Sequence, residues 1–197
     1  QDRGTQGAGL LGLGKGGARA AGGTPPETNG SVGKNQYVKH VKRKCASWAI
    51  TRPGNTGAIV LAGTNINVLW NGFGGECQNQ NSGDPIVLYD KTANRWMISQ
   101  FTSAASAAGD YYQCVAVSTT ANATGAYARY GFLIPGKLFG DYPHFGVWSD
   151  GYYMMAHLFD SAAPPNYVAG AFAAMDRAKM LTGAAATMQL IQDPLAG

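Results

Sequence analysis

From residue 83 onward the apolar positions come in short runs broken by turn residues, and one run pattern occurs twice. Gly83-Asp-Pro-Ile-Val-Leu-Tyr-Asp90 passes through a polar turn into Arg95-Trp-Met-Ile-Ser-Gln-Phe101. Gly140-Asp-Tyr-Pro-His-Phe-Gly-Val-Trp-Ser-Asp150 turns at Gly151 into Tyr152–Phe159. Asp84 precedes Asp141 by 57 positions, Asp90 precedes Asp150 by 60 and Phe101 precedes Phe159 by 58. Runs of this length, rich in β-branched and aromatic residues and bounded by Gly, Asp and Asn, predict strands. In the first unit these are 86–89, 95–101, 111–119 and 126–132, with Ala121-Asn-Ala-Thr-Gly125 as the last turn. The second takes 145–148, 152–159, 167–175 and 186–191, with a short helical turn over 176–181. A more diverged unit upstream is predicted from strands 36–41, 46–51 and 66–70.

Four antiparallel strands in succession make a blade, and a repeat near 58 residues suits a propeller blade with long loops. The expected fold is therefore all-β, a β-propeller-like array of four-stranded antiparallel blades. It is incomplete, with about three to four blades in this chain. Residues 31–197 form the propeller-like domain. Residues 1–30, rich in Gly and Ala, cannot bury enough to make a core and are expected to be a leader or an assembly arm.

Composition agrees with one turn-dense β domain. Of 197 residues 45% are hydrophobic, 13% are charged and 28 are glycine, enough apolar material for a core. The net charge of +4 changes meaning once it is located, because nine of the 15 Lys and Arg precede residue 53. A basic run there reads as a solvated strand edge, not a nucleic-acid site. No stretch has the apolar length of a membrane span, and no charged-then-apolar signal segment opens the chain.

Three cysteines allow one internal bridge. Cys77 precedes the first strand of its blade and Cys114 lies in the third, which favours a Cys77–Cys114 disulfide closing about 36 residues and stabilising by roughly 3–4 kcal/mol. Three reduced thiols are the other reading, and no role for Cys45 follows. Neither Cys-x-x-Cys nor His-x-x-x-His occurs, so no metal site is expected. Asp-x-Asp-x-Asp spacing is also missing, which leaves calcium a minor option and no other cofactor.

Asp84, Asp90, Asp141 and Asp150 recur at corresponding places in the two units. Paired carboxylates around a propeller axis could hydrolyse glycosides, one as acid and one as nucleophile or base. Periodic aspartates, however, are what turns use to bind backbone N–H groups, so no catalytic residue is assigned; whether the chain is an enzyme stays open, with the turn-holding role favoured over catalysis. No Gly-x-Ser-x-Gly elbow accompanies the three histidines, and Gly12-Leu-Gly-Lys-Gly-Gly17 lacks phosphate-loop spacing. The four aspartates with Tyr111, Tyr112 and Tyr152 are the candidate ligand contacts, since flat rings beside polar groups suit carbohydrate or protein. Trp96, Trp148 and Phe101 are expected in the core, with Tyr111, Tyr112 and Tyr152 exposed. Asn29-Gly-Ser31 and Asn122-Ala-Thr124 match the N-glycosylation sequon, Asn122 being the more accessible.

The ordered succession Thr24–Gly33, Trp70–Cys77, Gly83–Asp90, Arg95–Phe101, Gln113–Thr120 and Asp141–Tyr153 resembles a family of large secreted bacterial surface proteins carrying a propeller-like domain of undefined function. The resemblance covers most of residues 24–192. It departs at Thr120–Gly125, where the family has Asp-Pro, and at His144, where it has Lys. It implies a secreted, cell-surface structural or adhesion module, and family domains continue beyond the equivalent of Gln192. An open arc of blades exposes sheet edges and an apolar flank. Self-association through those edges or through the 1–30 arm, as closed rings or a surface fibre, is the expected remedy. A carbohydrate-binding or glycoside-hydrolysing propeller is the alternative.

Overall fold

The computed structural model describes residues 28–41, 43–49 and 59–194. Among the described residues twelve strands form three four-stranded antiparallel sheets, each a sequential meander, so the all-β blade array is what the chain forms. Blade A holds β1 (Thr28–Val32), β2 (Gln36–Val41), β3 (Lys44–Ala49) and β4 (Ile59–Asn65). Blade B holds β5 (Gly83–Asp90), β6 (Arg95–Phe101), β7 (Tyr111–Ser118) and β8 (Tyr127–Ile134). Blade C holds β9 (Phe139–Val147), β10 (Tyr152–Phe159), β11 (Tyr167–Met175) and β12 (Met188–Asp193).

The first strands of the blades lie side by side, β1 against β5 and β5 against β9. Two side chains of β1 make that junction: the Val87 N–H donates to Asn29 Oδ1 at 2.7 Å and the Tyr89 N–H to Ser31 Oγ at 3.1 Å. A turn-like Asn-Gly-Ser sequence thus runs as a strand, because its polar side chains satisfy the neighbouring backbone. The predicted boundary at residue 30 falls inside β1, while residues 1–27 lie outside the described residues.

Two cores separate the three sheets. Between A and B, Val38 of β2 meets Trp96 and Ile98 of β6 and Val87 of β5. Between B and C, Met97, Val115, Val117 and Phe132 face Tyr152, Met154, Leu158 and the alanines 169, 171 and 173. The small residues of β11 let its backbone approach the large side chains of blade B.

The predicted strand 66–70 is instead a 3-10 turn, Ile66–Trp70, whose two buried residues stand four apart. The fourth strand of blade A is β4, mostly exposed. A short helix α1 (Gly75–Asn79) then presents Cys77 to β7, where it is bonded to Cys114. The helical turn predicted over 176–181 is α2 (Arg177–Thr182), capped by Asp176 and stopped by Gly183 in the left-handed region.

Candidate functional site

At one end of the inner strands, Asn29, Asp84, Pro85, Tyr142, Pro143 and His144 line an open cavity of about 200 Å³. Asp84 and Tyr142 both adopt positive φ, 41° and 53°, and both precede a proline. Each sits where its strand slips register against the next. The structure therefore equates Asp84 with Tyr142, one position off the Asp84–Asp141 correspondence read from the sequence. Non-glycine residues held in the left-handed region cost free energy and are common beside binding sites. The Tyr142 ring is exposed, 4.5 Å from the His144 ring and 6.2 Å from that of His157 between centroids.

The four aspartates do not converge. Asp84 lines the cavity; Asp141 accepts the N–H of Tyr142 at 2.9 Å; Asp150 sits on the exposed β9–β10 turn and bonds the Tyr153 hydroxyl. Asp90 is completely buried between blades B and C. Its Oδ1 accepts the N–H groups of Thr92 and Ala93 at 3.1 and 3.0 Å, the turn-holding role of an aspartate at this place. Arg177 donates to it twice, Nε to Oδ2 at 2.7 Å and Nη2 to Oδ1 at 3.1 Å, and the Tyr152 hydroxyl donates to Oδ2 at 3.0 Å. Burial pushes the Asp90 carboxyl up, but these donors outweigh it and hold it at about 2, a fixed anion. Asp84 is the carboxylate that lines the cavity.

The same latch, with different chemistry, joins A to B. There the β7–β8 connection reaches back, and the Ala123 N–H donates to Gln36 Oε1 at 2.7 Å. In both junctions the connection between a blade's third and fourth strands grips the preceding blade near its first turn.

The predicted aromatic contacts are partly corrected. Tyr152 and Tyr111 are buried, Tyr152 against Asp90 and Tyr111 against Phe139, because both lie on strand faces turned toward a core. Trp70 is buried as well, whereas Trp148, expected in the core, is 70% exposed on a turn. Tyr112 is half-buried beside Phe73 and Cys77. Asn29 uses its side-chain oxygen at the blade junction, while Asn122 is exposed and bonds Thr124. Among the described residues no three His, Cys, Asp or Glu gather as a metal site, and no helix is long and apolar enough to cross a membrane.

Sequence reasoning did not single out the outer face of blade C. Tyr153, Met155, Phe172, Gln189 and Ile191 line a groove there of about 750 Å³. Met155 is 41% exposed, Phe172 43% and Ile191 69%. The register places Met155, Phe172 and Ile191 in one row across β10, β11 and β12. The signal was available: Met155 lies 58 positions after Met97, which the next blade covers completely.

No protein-family model and no curated protein matches this chain. Among solved structures it is similar to a GH43 β-1,3-galactosidase, with 14% identity and a TM-score of 0.43, over 84% of this chain and 35% of that one. The chain spans about a third of the length of that structure. A likeness at that level says nothing of chemistry.

Proposed function

We propose that this chain is a non-catalytic, self-associating module of the secreted, cell-surface structural or adhesion type, with the outer face of blade C as its working surface. The observation that supports it is the exposed row Met155–Phe172–Ile191, apolar side chains at positions like those a following blade covers in blade B. Exposed apolar patches of this kind are characteristic of protein contact surfaces. The Cys77–Cys114 bridge is compatible with an extracellular setting. Sedimentation equilibrium over a concentration series is the test. A mass rising above 20.6 kDa is expected, and a mass fixed at 20.6 kDa at every concentration would sink the reading.

A second reading rests on Tyr142. Its exposed ring beside Asp84 and His144 offers a stacking platform with polar groups, which suits a saccharide. Retention on immobilised polysaccharide that Tyr142→Ala abolishes would favour it, and equal retention of both proteins would remove it.

A further inference from the structure

Each blade has two unlike faces. In blade B, Trp96, Ile98 and Cys114 face the preceding blade, while Met97, Val115 and Val117 receive the following one. Blade A lends its receiving face, with Gln36 and Val38, to blade B. Among the described residues this leaves two uncovered faces of opposite kind. Blade C keeps a receiving face, built on Met155, Phe172 and Ile191. Blade A keeps a face of the kind that elsewhere packs onto a preceding blade, with exposed Val32, half-buried Tyr37 and Lys39.

Charge separates the two ends in the same sense. The described residues of 28–65 carry Lys34, Lys39, Arg43 and Lys44 and no acid. Residues 139–193 carry Asp141, Asp150, Asp160, Asp176 and Asp193 against Arg177 and Lys179, and Arg177 is consumed by Asp90. Two copies of blade C would meet acid to acid, and two copies of blade A base to base. Only blade C on blade A joins opposite charges and a receiving face to a packing face.

Resting on the self-association proposed above, we infer that the occupant of the blade C groove is blade A of a second copy, giving a polar, head-to-tail assembly. The contact is heterologous, so it closes into a ring or propagates as a filament according to the rotation between copies. Asp150 stands at the first turn of blade C, as Asp90 stands at that of blade B.

Two variants at exposed or half-buried positions test the polarity. Lys39→Glu alters only the blade A face, and Met155→Ser/Ile191→Ser alters only the blade C face. Circular dichroism and the intact disulfide verify folding of each. Each variant alone is expected to lose at least about tenfold in association constant. An equimolar mixture is expected to recover a complex of two chains and stop there, because one wild-type interface remains per pair. Wild-type-strength association of Lys39→Glu alone, or no complex in the mixture, would overturn the head-to-tail contact while leaving self-association standing. A wild-type chain that stays monomeric would overturn both.

Discussion

Asp90 and Arg177, 87 positions apart in sequence, form a two-pronged ion pair sealed between blades B and C, with further hydrogen bonds to Tyr152, Thr92 and the Ser149 carbonyl. A pair this deep gives little net stability over apolar residues of the same volume, but breaking it strands a charge. Arg177→Met is expected to cost about 3–5 kcal/mol in urea unfolding. Asp90→Leu/Arg177→Met is expected to recover much of that loss. A double variant no more stable than the single one would contradict this account.

Acid should weaken the fold in two stages. His40 is buried with neither ring nitrogen meeting a partner among the described residues, and burial lowers its pKa to about 3. The unfolded chain takes up that proton from about pH 6.5 downward, so stability falls as pH drops, by up to about 1.4 kcal/mol per pH unit. Asp90, held at about 2, adds a second loss as pH falls from about 4 toward 2. Stability measured from pH 7 to 5 should be nearly flat in His40→Leu and should fall by about 2 kcal/mol in the wild type. Equal slopes would exclude His40 as the source.

The Cys77–Cys114 bridge spans 37 positions and ties α1 to the third strand of blade B. Replacing both cysteines by alanine should cost about 3–4 kcal/mol, on the view that the bridge restricts the unfolded chain. Peptide mapping without reductant should recover the two cysteines in one linked fragment, and two free thiols would refute the pairing.

Gly33 is packed edge-on to the core. A Cβ there would lie 2.5 Å from Trp96 Cζ2 and 3.0 Å from Tyr89, and those rings already pack against each other, tilted, with centroids 4.8 Å apart. Gly33→Ala should destabilise by about 1–3 kcal/mol through overpacking and redden Trp96 emission as its ring is displaced. A wild-type melting curve would show that this corner yields more easily than its geometry suggests.

Strands β6, β10 and β11 were legible in the sequence almost to the residue, since each is a long apolar or aromatic run between clear turns. Where local signals competed with tertiary ones they failed. The apolar run at 66–70 reads as strand, yet Val68 is exposed between the buried Ile66 and Trp70, whereas a strand would turn all three to one face. The start of β9 was hidden by Pro143 and by the positive φ of Tyr142, which the strand accommodates as a bulge. Strand faces were the larger blind spot. Tyr152 and Tyr153 differ only in which way the pleat turns them, and with apolar residues on both faces of β10 nothing local distinguishes the two. Asp90 could be recognised as a turn residue. Its partner Arg177 could not, because only the packing of two blades brings them together.

Every sheet is drawn from one unbroken stretch of chain. During synthesis blade A can therefore pair its strands before blade B has left the ribosome, and each finished blade becomes the template on which the next condenses. The ion pair at Asp90 cannot close until residue 177 has emerged. Until then the turn that carries Asp90 keeps its carboxylate in water, and the seam between blades B and C is set only once the β11–β12 connection arrives.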